Sequence, residues 1–189
     1  MSSVLFVPFP VLTTDRLTLR KLGLSNADGI FALRSDPAVI RYTGIKQYIT
    51  ISQAEDYIKK IDRDLENGQS IMWSISLTAS SQFVGSICIW NITEDGRCAE
   101  IGYDLLPAFH GKGFMQEAVK AVIEYGFHGM KLDKIVADLR TENIQSVMLL
   151  ERSGFIRGTV HEIPIEGNVK AEMAVYYLER AAFEENLNR

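Results

Sequence analysis

From Thr14 the chain reads TDRLTLRKL, with polar and apolar residues in alternation. This is the period of a half-buried strand, with Leu17 and Leu19 on one side and Arg16, Thr18 and Arg20 on the other. Ser25 and Asn26 then offer caps for a helix to about Arg34, which carries Ile30, Phe31 and Leu33 on its apolar side before Ser35-Asp36-Pro37 stops it. A short helical turn follows from Val39 to about Tyr42, and SQAEDYIKKIDRDLE begins a longer helix at Ser52, where Ser52 and Glu55 have capping-box spacing. Asn67-Gly68 is its expected stop. Three β-like runs come next, over residues 71–78, 83–90 and 97–106, separated by the polar turns ASSQ and NITEDG, so an antiparallel meander is expected. Then the period changes. Ala118, Val119, Val122, Ile123 and Phe127 recur at helical spacing, KIVADLR reads as a strand, and NIQSVMLLERSG reads as a helix capped by Asn143 and stopped by Gly154. Residues 155–161 and 171–178 complete the pattern as a closing pair of strands. No linker, repeat or low-complexity tract interrupts this order, which predicts one α+β domain over residues 1–189 with a mixed sheet.

Composition narrows the function classes. The chain has 189 residues, 47% hydrophobic and 23% charged, with a formal net charge of −4. That balance suits a soluble globular protein and gives no reason to expect nucleic acid as a direct partner. A polyanionic ligand would have to be held by a local site rather than by a global field. Cys88 and Cys98 sit in no metal-ligand spacing and read as reduced thiols, and no metal is expected. The run VLFVPFPVL is broken by Pro8 and Pro10 and has neither a preceding basic residue nor a following cleavage site, so it does not read as a signal peptide. No apolar stretch approaches the ~20 residues of a spanning helix. A cytoplasmic protein without a membrane partner, monomeric or homodimeric, is the expectation.

The stretch FHGKGFMQEA puts Gly111, Lys112 and Gly113 directly in front of a helix. The phosphate loop of nucleoside triphosphatases would need glycine at Leu106, and Gly113 stands where that loop has Ser or Thr. The dinucleotide fingerprint would need a third glycine at Gln116. Two readings remain. The glycines either shape a tight connection or let the unpaired N–H groups of a helix N-terminus approach an anion, with Lys112 adding positive charge.

EIGYDLLPAFHGKGFMQEA followed by NIQSVMLLERSGF resembles the GNAT superfamily of N-acetyltransferases, and within it the RimJ/RimL-like branch. The resemblance extends through most of the chain, from TDRLTLRKL to the final strands. It implies a mixed, mostly antiparallel sheet splayed at a cofactor slot, with helices on both faces. The superfamily loop Gln/Arg-x-x-Gly-x-Gly/Ala, whose amides hold the pyrophosphate of acetyl-CoA, falls on His110, Gly111, Lys112, Gly113, Phe114 and Met115. His110 departs from Gln/Arg and Met115 from the small final residue, while Gly113 is intact. By the loop's register the splay is expected at Tyr103, Asp104 and Leu105, the Leu105 N–H is expected to stabilise the oxyanion, and Asn143 to cap its helix, bond the pantetheine amides, or both.

The resemblance also implies acetyl transfer from acetyl-CoA to a primary amine, and the first acceptor it suggests is the α-amine of a (ribosomal) protein N-terminus. A small amine or an antibiotic is the alternative acceptor, and a non-catalytic CoA-binding sensor the alternative class. Removal of the amine proton needs a base. Glu100, on the strand leading to the splay, is the first candidate, with Asp104, His161 and Glu162 behind it. Many superfamily members place a thiolate-protonating tyrosine where this chain has Leu150, and Ser146, one turn earlier, is the nearest hydroxyl. Trp73, Trp90, Tyr42 and Tyr103 are either walls of an acceptor pocket or core.

Overall fold

The computed structural model describes residues 6–166 and 169–187. Its strands are β1 (Leu12–Thr13), β2 (Leu17–Lys21), β3 (Ile71–Leu77), β4 (Phe83–Trp90), β5 (Cys98–Leu105), β6 (Lys134–Arg140), β7 (Ile156–Glu166) and β8 (Val169–Glu179). They form one eight-stranded sheet in the order β1-β2-β3-β4-β5-β6-β8-β7. Every neighbouring pair is antiparallel except β5 with β6. The helices are α1 (Ala27–Ser35), α2 (Pro37–Ile40), α3 (Ile51–Glu66), α4 (Phe114–Glu124), α5 (Ile144–Arg152) and α6 (Arg180–Leu187).

The alternation at Leu17 and Leu19 buries both side chains completely on one face of the sheet. Ile71, Trp73 and Ile75 of β3 join them there, against Ala118, Val119, Val122 and Ile123 of α4 and Leu150 of α5. Trp73 donates from Nε1 to the Pro10 carbonyl at 2.7 Å and meets Phe9 and Tyr125 edge-on, which ties the N-terminal segment to this core. The other face is covered by α1 and α3, whose Ile30, Leu33, Ala54, Ile58 and Ile61 pack with Met72. The 3.6-residue period of α3 makes this possible, because Ala54, Ile58 and Ile61 fall on one stripe.

Several boundaries differ from the expectation. α3 begins at Ile51, because Gln53 rather than Glu55 reaches back, its Oε1 accepting from the N–H groups of Ile49 and Thr50. α4 continues into a π-helical turn over Tyr125–Gly129. The closing strands are longer than 155–161 and 171–178, and α6 was not foreseen. Among the described residues no helix is long and apolar enough to cross a membrane.

The β1–β2 connection braces α4. Glu117, in the first turn of α4, accepts from the backbone N–H of Arg16 at 2.9 Å, from Arg16 Nε at 2.7 Å and from the Thr14 hydroxyl. Arg16 Nη1 continues to the Lys112 carbonyl at 3.0 Å, and the guanidinium lies 4.5 Å over the Phe114 ring. Burial alone would raise the Glu117 pKa, but the bonds from Thr14 and Arg16 prevail and hold it below the usual glutamate range. A depressed carboxyl pKa contributes stability above the unfolded-state value and loses it as pH falls through the folded-state value. Glu117→Gln is therefore expected to cost about 1–2 kcal/mol at neutral pH, discounted because Arg16 is half-exposed. Thermal melts should show the gap between wild type and variant closing as pH drops below about 4.

Candidate active site

β5 and β6 pair in register only at Cys98↔Lys134, Ala99↔Ile135 and Glu100↔Val136. Beyond Glu100 the two strands separate, so the splay opens at Ile101 and includes the expected Tyr103, Asp104 and Leu105. On its other side β5 stays paired to β4 as far as Gly85↔Leu105. The Leu106 N–H donates to the Val84 carbonyl at 2.9 Å, and in an antiparallel ladder the residues that bond a given neighbour alternate. Ile101, Tyr103 and Leu105 therefore turn their N–H and C=O groups toward the gap. His110 Nε2 meets the Leu105 carbonyl at 2.8 Å, which fastens the loop to the strand end. The Leu105 N–H remains directed into the slot.

The loop that follows brings α4 to the same end of the gap. Gly111 and Gly113 have φ of +71° and +78°, and Gly113 is the N-cap of α4. Both conformations favour glycine, so a tight connection and an exposed amide row come from the same two residues. A Cβ at Gly111 would meet nothing within 4 Å, which leaves the backbone open to a ligand. Lys112 folds back, its Nζ donating to the Ala108 carbonyl at 2.8 Å and lying 5.5 Å over the Phe109 ring. Phe114 opens α4, and the Met115 side chain is buried in the core.

A cavity of about 1190 Å³ runs through the splay. One half is lined by His110, Gly111, Gly113–Gln116, Ala137–Arg140 and α5; the other by residues of α1, α3, β3 and β4, on the opposite face of the sheet. Gly102, Asp104 and Leu105 lie between the halves. A slot edged by unpaired backbone groups, ending at a glycine-framed helix N-terminus, fits an extended amide-containing arm attached to a phosphate. Residues 16–156 match the family described as acetyltransferase (GNAT) domain.

The chain belongs to the GNAT acetyltransferase family. It is 41% identical over 146 residues to the "Uncharacterized N-acetyltransferase p20" of Bacillus licheniformis, covering 76% of this chain and 81% of that one. In fold it resembles RimL, a ribosomal alpha-N-protein acetyltransferase solved with coenzyme A, at a TM-score of 0.82 and 18% identity over 92% of this chain and 99% of that one. It also resembles spermidine N-acetyltransferase from Vibrio cholerae solved with CoA and spermine, at a TM-score of 0.78 and 21% identity over 90% and 99% of the two chains. At such identities the likeness speaks for the fold.

Within this GNAT fold the remaining candidates fall at different distances from the slot. Asn143 caps α5, its Oδ1 accepting from the Ser146 N–H at 3.2 Å, and both residues line the cavity. Leu150 is fully buried in the core. The Ser146 hydroxyl instead meets the phenol of Tyr103, which reaches it from β5 across the slot; burial pushes the Tyr103 phenol up to about 12, with the Ser146 bond partly offsetting that. Glu100 sits at the last paired position of the ladder, and its Oε1 accepts from Asn91 Nδ2 at 2.6 Å. Its neighbours Trp90 and Asn91 line the cavity, whereas Glu100 itself is not among the lining residues. Asp104, four residues further on the same face, does line it. Burial pushes the Asp104 carboxyl above the usual aspartate range, against the downward pull of Arg34, whose Nη2 lies 3.4 Å from Oδ2. His161 Nε2 lies 3.3 Å from Asp138 Oδ2, and Asp138 lines the slot from β6. Glu162 is paired with Lys170 at 2.8 Å on the surface. Of the aromatic candidates Tyr42, Trp90 and Tyr103 line the cavity, and Trp73 is core.

Arg34 and Tyr57 escaped the sequence reading. The sequence marks Arg34 only as the approximate end of a helix, yet it is 7% exposed and its Nη2 donates to Tyr57 Oη at 3.2 Å. The only signal was the helical spacing that sets Arg34 one turn after Ile30. Cys88 and Cys98 are free thiols, and burial pushes Cys88 up to about 12, outside the reactive range.

The glycine cradle makes a specific demand. Gly113→Glu is expected to abolish the thermal shift produced by acetyl-CoA while the protein stays folded. Gly96→Glu is the control, since Gly96 has φ of +68° and free space around it but lies in the turn before β5. Equal losses of the ligand shift in both variants would assign the effect to backbone strain.

Proposed function

We propose that this GNAT enzyme transfers the acetyl group of acetyl-CoA directly to a primary amine within a ternary complex. The observation that carries this reading is the single cavity that crosses the sheet at the β5–β6 gap, with the cradle in one half and a pocket of α1 and α3 residues in the other. Acetyl-CoA would supply an acyl thioester. The amides of Gly111 to Met115 and the N-terminus of α4 would hold its pyrophosphate, with His110 fixing the loop. Asn143 and the unpaired groups of β5 would bond the pantetheine arm. The Leu105 N–H, fixed by the ladder, would meet the negative charge that develops on the acetyl oxygen.

Proton removal is assigned here to Asp104 in preference to Glu100, because Asp104 lines the cavity beside Leu105 and its raised pKa makes it a stronger base than an exposed aspartate. Glu100, held by Asn91, is a second site reachable through water. As the new C–N bond forms and the C–S bond breaks, the departing thiolate would take its proton from Ser146, beside the Tyr103 hydroxyl; Ser146 would regain a proton from water and Asp104 would lose the amine proton to it. The acceptor is a protein N-terminal α-amine or a small amine. Loss of the superfamily tyrosine to a core leucine at position 150 favours one other reading, a CoA-binding sensor without turnover. A thiol-release assay with acetyl-CoA and a panel of peptides, amino acids and polyamines separates the two: binding without release by any amine overturns acetyl transfer.

Two outcomes are expected of the catalytic groups. A base must be ionised to act, so a raised pKa moves the acid limb of the kcat/KM profile above the ordinary aspartate value of about 3.9. Asp104→Asn should flatten that limb and lower kcat by roughly 10²-fold or more; a limb preserved in Asp104→Asn and lost in Glu100→Gln would move the role to Glu100. Ser146→Ala should cut single-turnover rates about tenfold with acetyl-CoA affinity unchanged, less than the ~10²–10⁴-fold usual for general acid catalysis because a thiolate is already a good leaving group. An undiminished rate means the thiolate leaves without Ser146.

A further inference from the structure

We propose that the acceptor half of the cavity recognises an α-amino acyl group, meaning an amine together with the carbonyl or carboxylate oxygen on the adjacent carbon, through Asp104 and Arg34 jointly. This rests on the acetyl-transfer reading and narrows its acceptor.

Arg34 reaches the cavity from the last turn of α1 and is 7% exposed. Its Nη2 serves both Tyr57 Oη at 3.2 Å and Asp104 Oδ2 at 3.4 Å, and the guanidinium lies 5.0 Å over the Tyr57 ring. Its Nε is buried with no hydrogen-bond partner. A charge-assisted N–H···O contact ordinarily closes to about 2.7–2.9 Å and an arginine–carboxylate pair is commonly bidentate. Here the contact is long and made by one nitrogen. A buried guanidinium with unused donors beside a loosely held carboxylate is an unfinished pair, and buried polar groups are normally satisfied. Arg34 has capacity for an oxygen and Asp104 for an N–H.

An α-amino acyl group offers both on adjacent carbons. A polyamine offers donors only, so it could satisfy Asp104 but would set a further cation against Arg34. Among the described residues the other acids near this half are already engaged, Asp64 with Lys60 at 2.5 Å and Glu100, off the lining, with Asn91 Nδ2 at 2.6 Å. Tyr42, Tyr48, Met72 and Trp90 supply apolar wall for the side chain on the acceptor's α-carbon. Asp104 also precedes Leu105, so an amine held there stands beside the backbone N–H that faces the slot.

Phenylalaninamide and phenethylamine differ only by the carboxamide, and they probe the oxygen directly. The kcat/KM ratio of the first to the second, measured by thiol release, should fall at least tenfold from wild type to Arg34→Met; comparing ratios cancels the different basicity of the two amines. Spermidine should be a poorer acceptor than either phenylalaninamide or a peptide with N-terminal phenylalanine. Free phenylalanine against that peptide distinguishes a free amino acid from a chain terminus. An unchanged ratio in Arg34→Met, or a wild-type preference for spermidine, overturns the proposal while leaving acetyl transfer intact. One measurement needs neither turnover nor a variant. Titrated into the wild-type protein with CoA, N-acetylphenylalaninamide should bind at least tenfold more tightly than N-acetylphenethylamine. Equal affinities overturn the proposal, whereas absent thiol release with every amine overturns the acetyl-transfer reading alone.

Discussion

The parallel contact between β5 and β6 ends after Glu100 and Val136, and the site depends on that interruption. Continued pairing would occupy the N–H and C=O groups of Ile101, Tyr103 and Leu105 and close the sheet. Separation leaves a row of backbone groups that need partners, at the point where the loop and the first turn of α4 present more of them. The rest of the fold holds the gap open. β4 keeps β5 straight on one side, β8 pairs with β6 along its full length on the other, and α4 spans the sheet behind them.

The brace from the N-terminal strands has a place in this arrangement. Arg16 joins Glu117, the Lys112 carbonyl and the Phe114 ring, so the segment before β2 fixes the orientation of a loop about a hundred residues later in sequence. Helix N-termini fray when their first turn is unsupported. Here three side chains and a backbone N–H secure it without using the amides that face the cavity.

Much of this was legible from local pattern. Alternation located β2 through its two leucines, turn residues separated β3, β4 and β5, and the 3.6-residue period located α3 and α4. Gly111 and Gly113 were readable because a left-handed turn before a helix restricts residue type. What could not be read depended on contacts between distant segments. Arg34 is buried by Asp104 and Tyr57, which lie 70 residues after it and 23 after it, and no local rule ties the three together. Glu100 and Asp104 share a face of one strand and cannot be ranked by alternation; only the last paired rung separates them. Tyr103 and Ser146 meet across a gap whose start could be placed only to within two residues.

The gap also sets how traffic through the enzyme is arranged. Because the cavity crosses the sheet, its two halves are lined by helices on opposite faces, α4 and α5 on one and α1 and α3 on the other. In the proposed ternary complex, two molecules meeting at Leu105 would each enter and leave by their own half, so neither product would have to wait behind the other. A two-door site of that kind would give a sequential steady-state scheme in which departure order is set by the relative grip of each half rather than by obstruction.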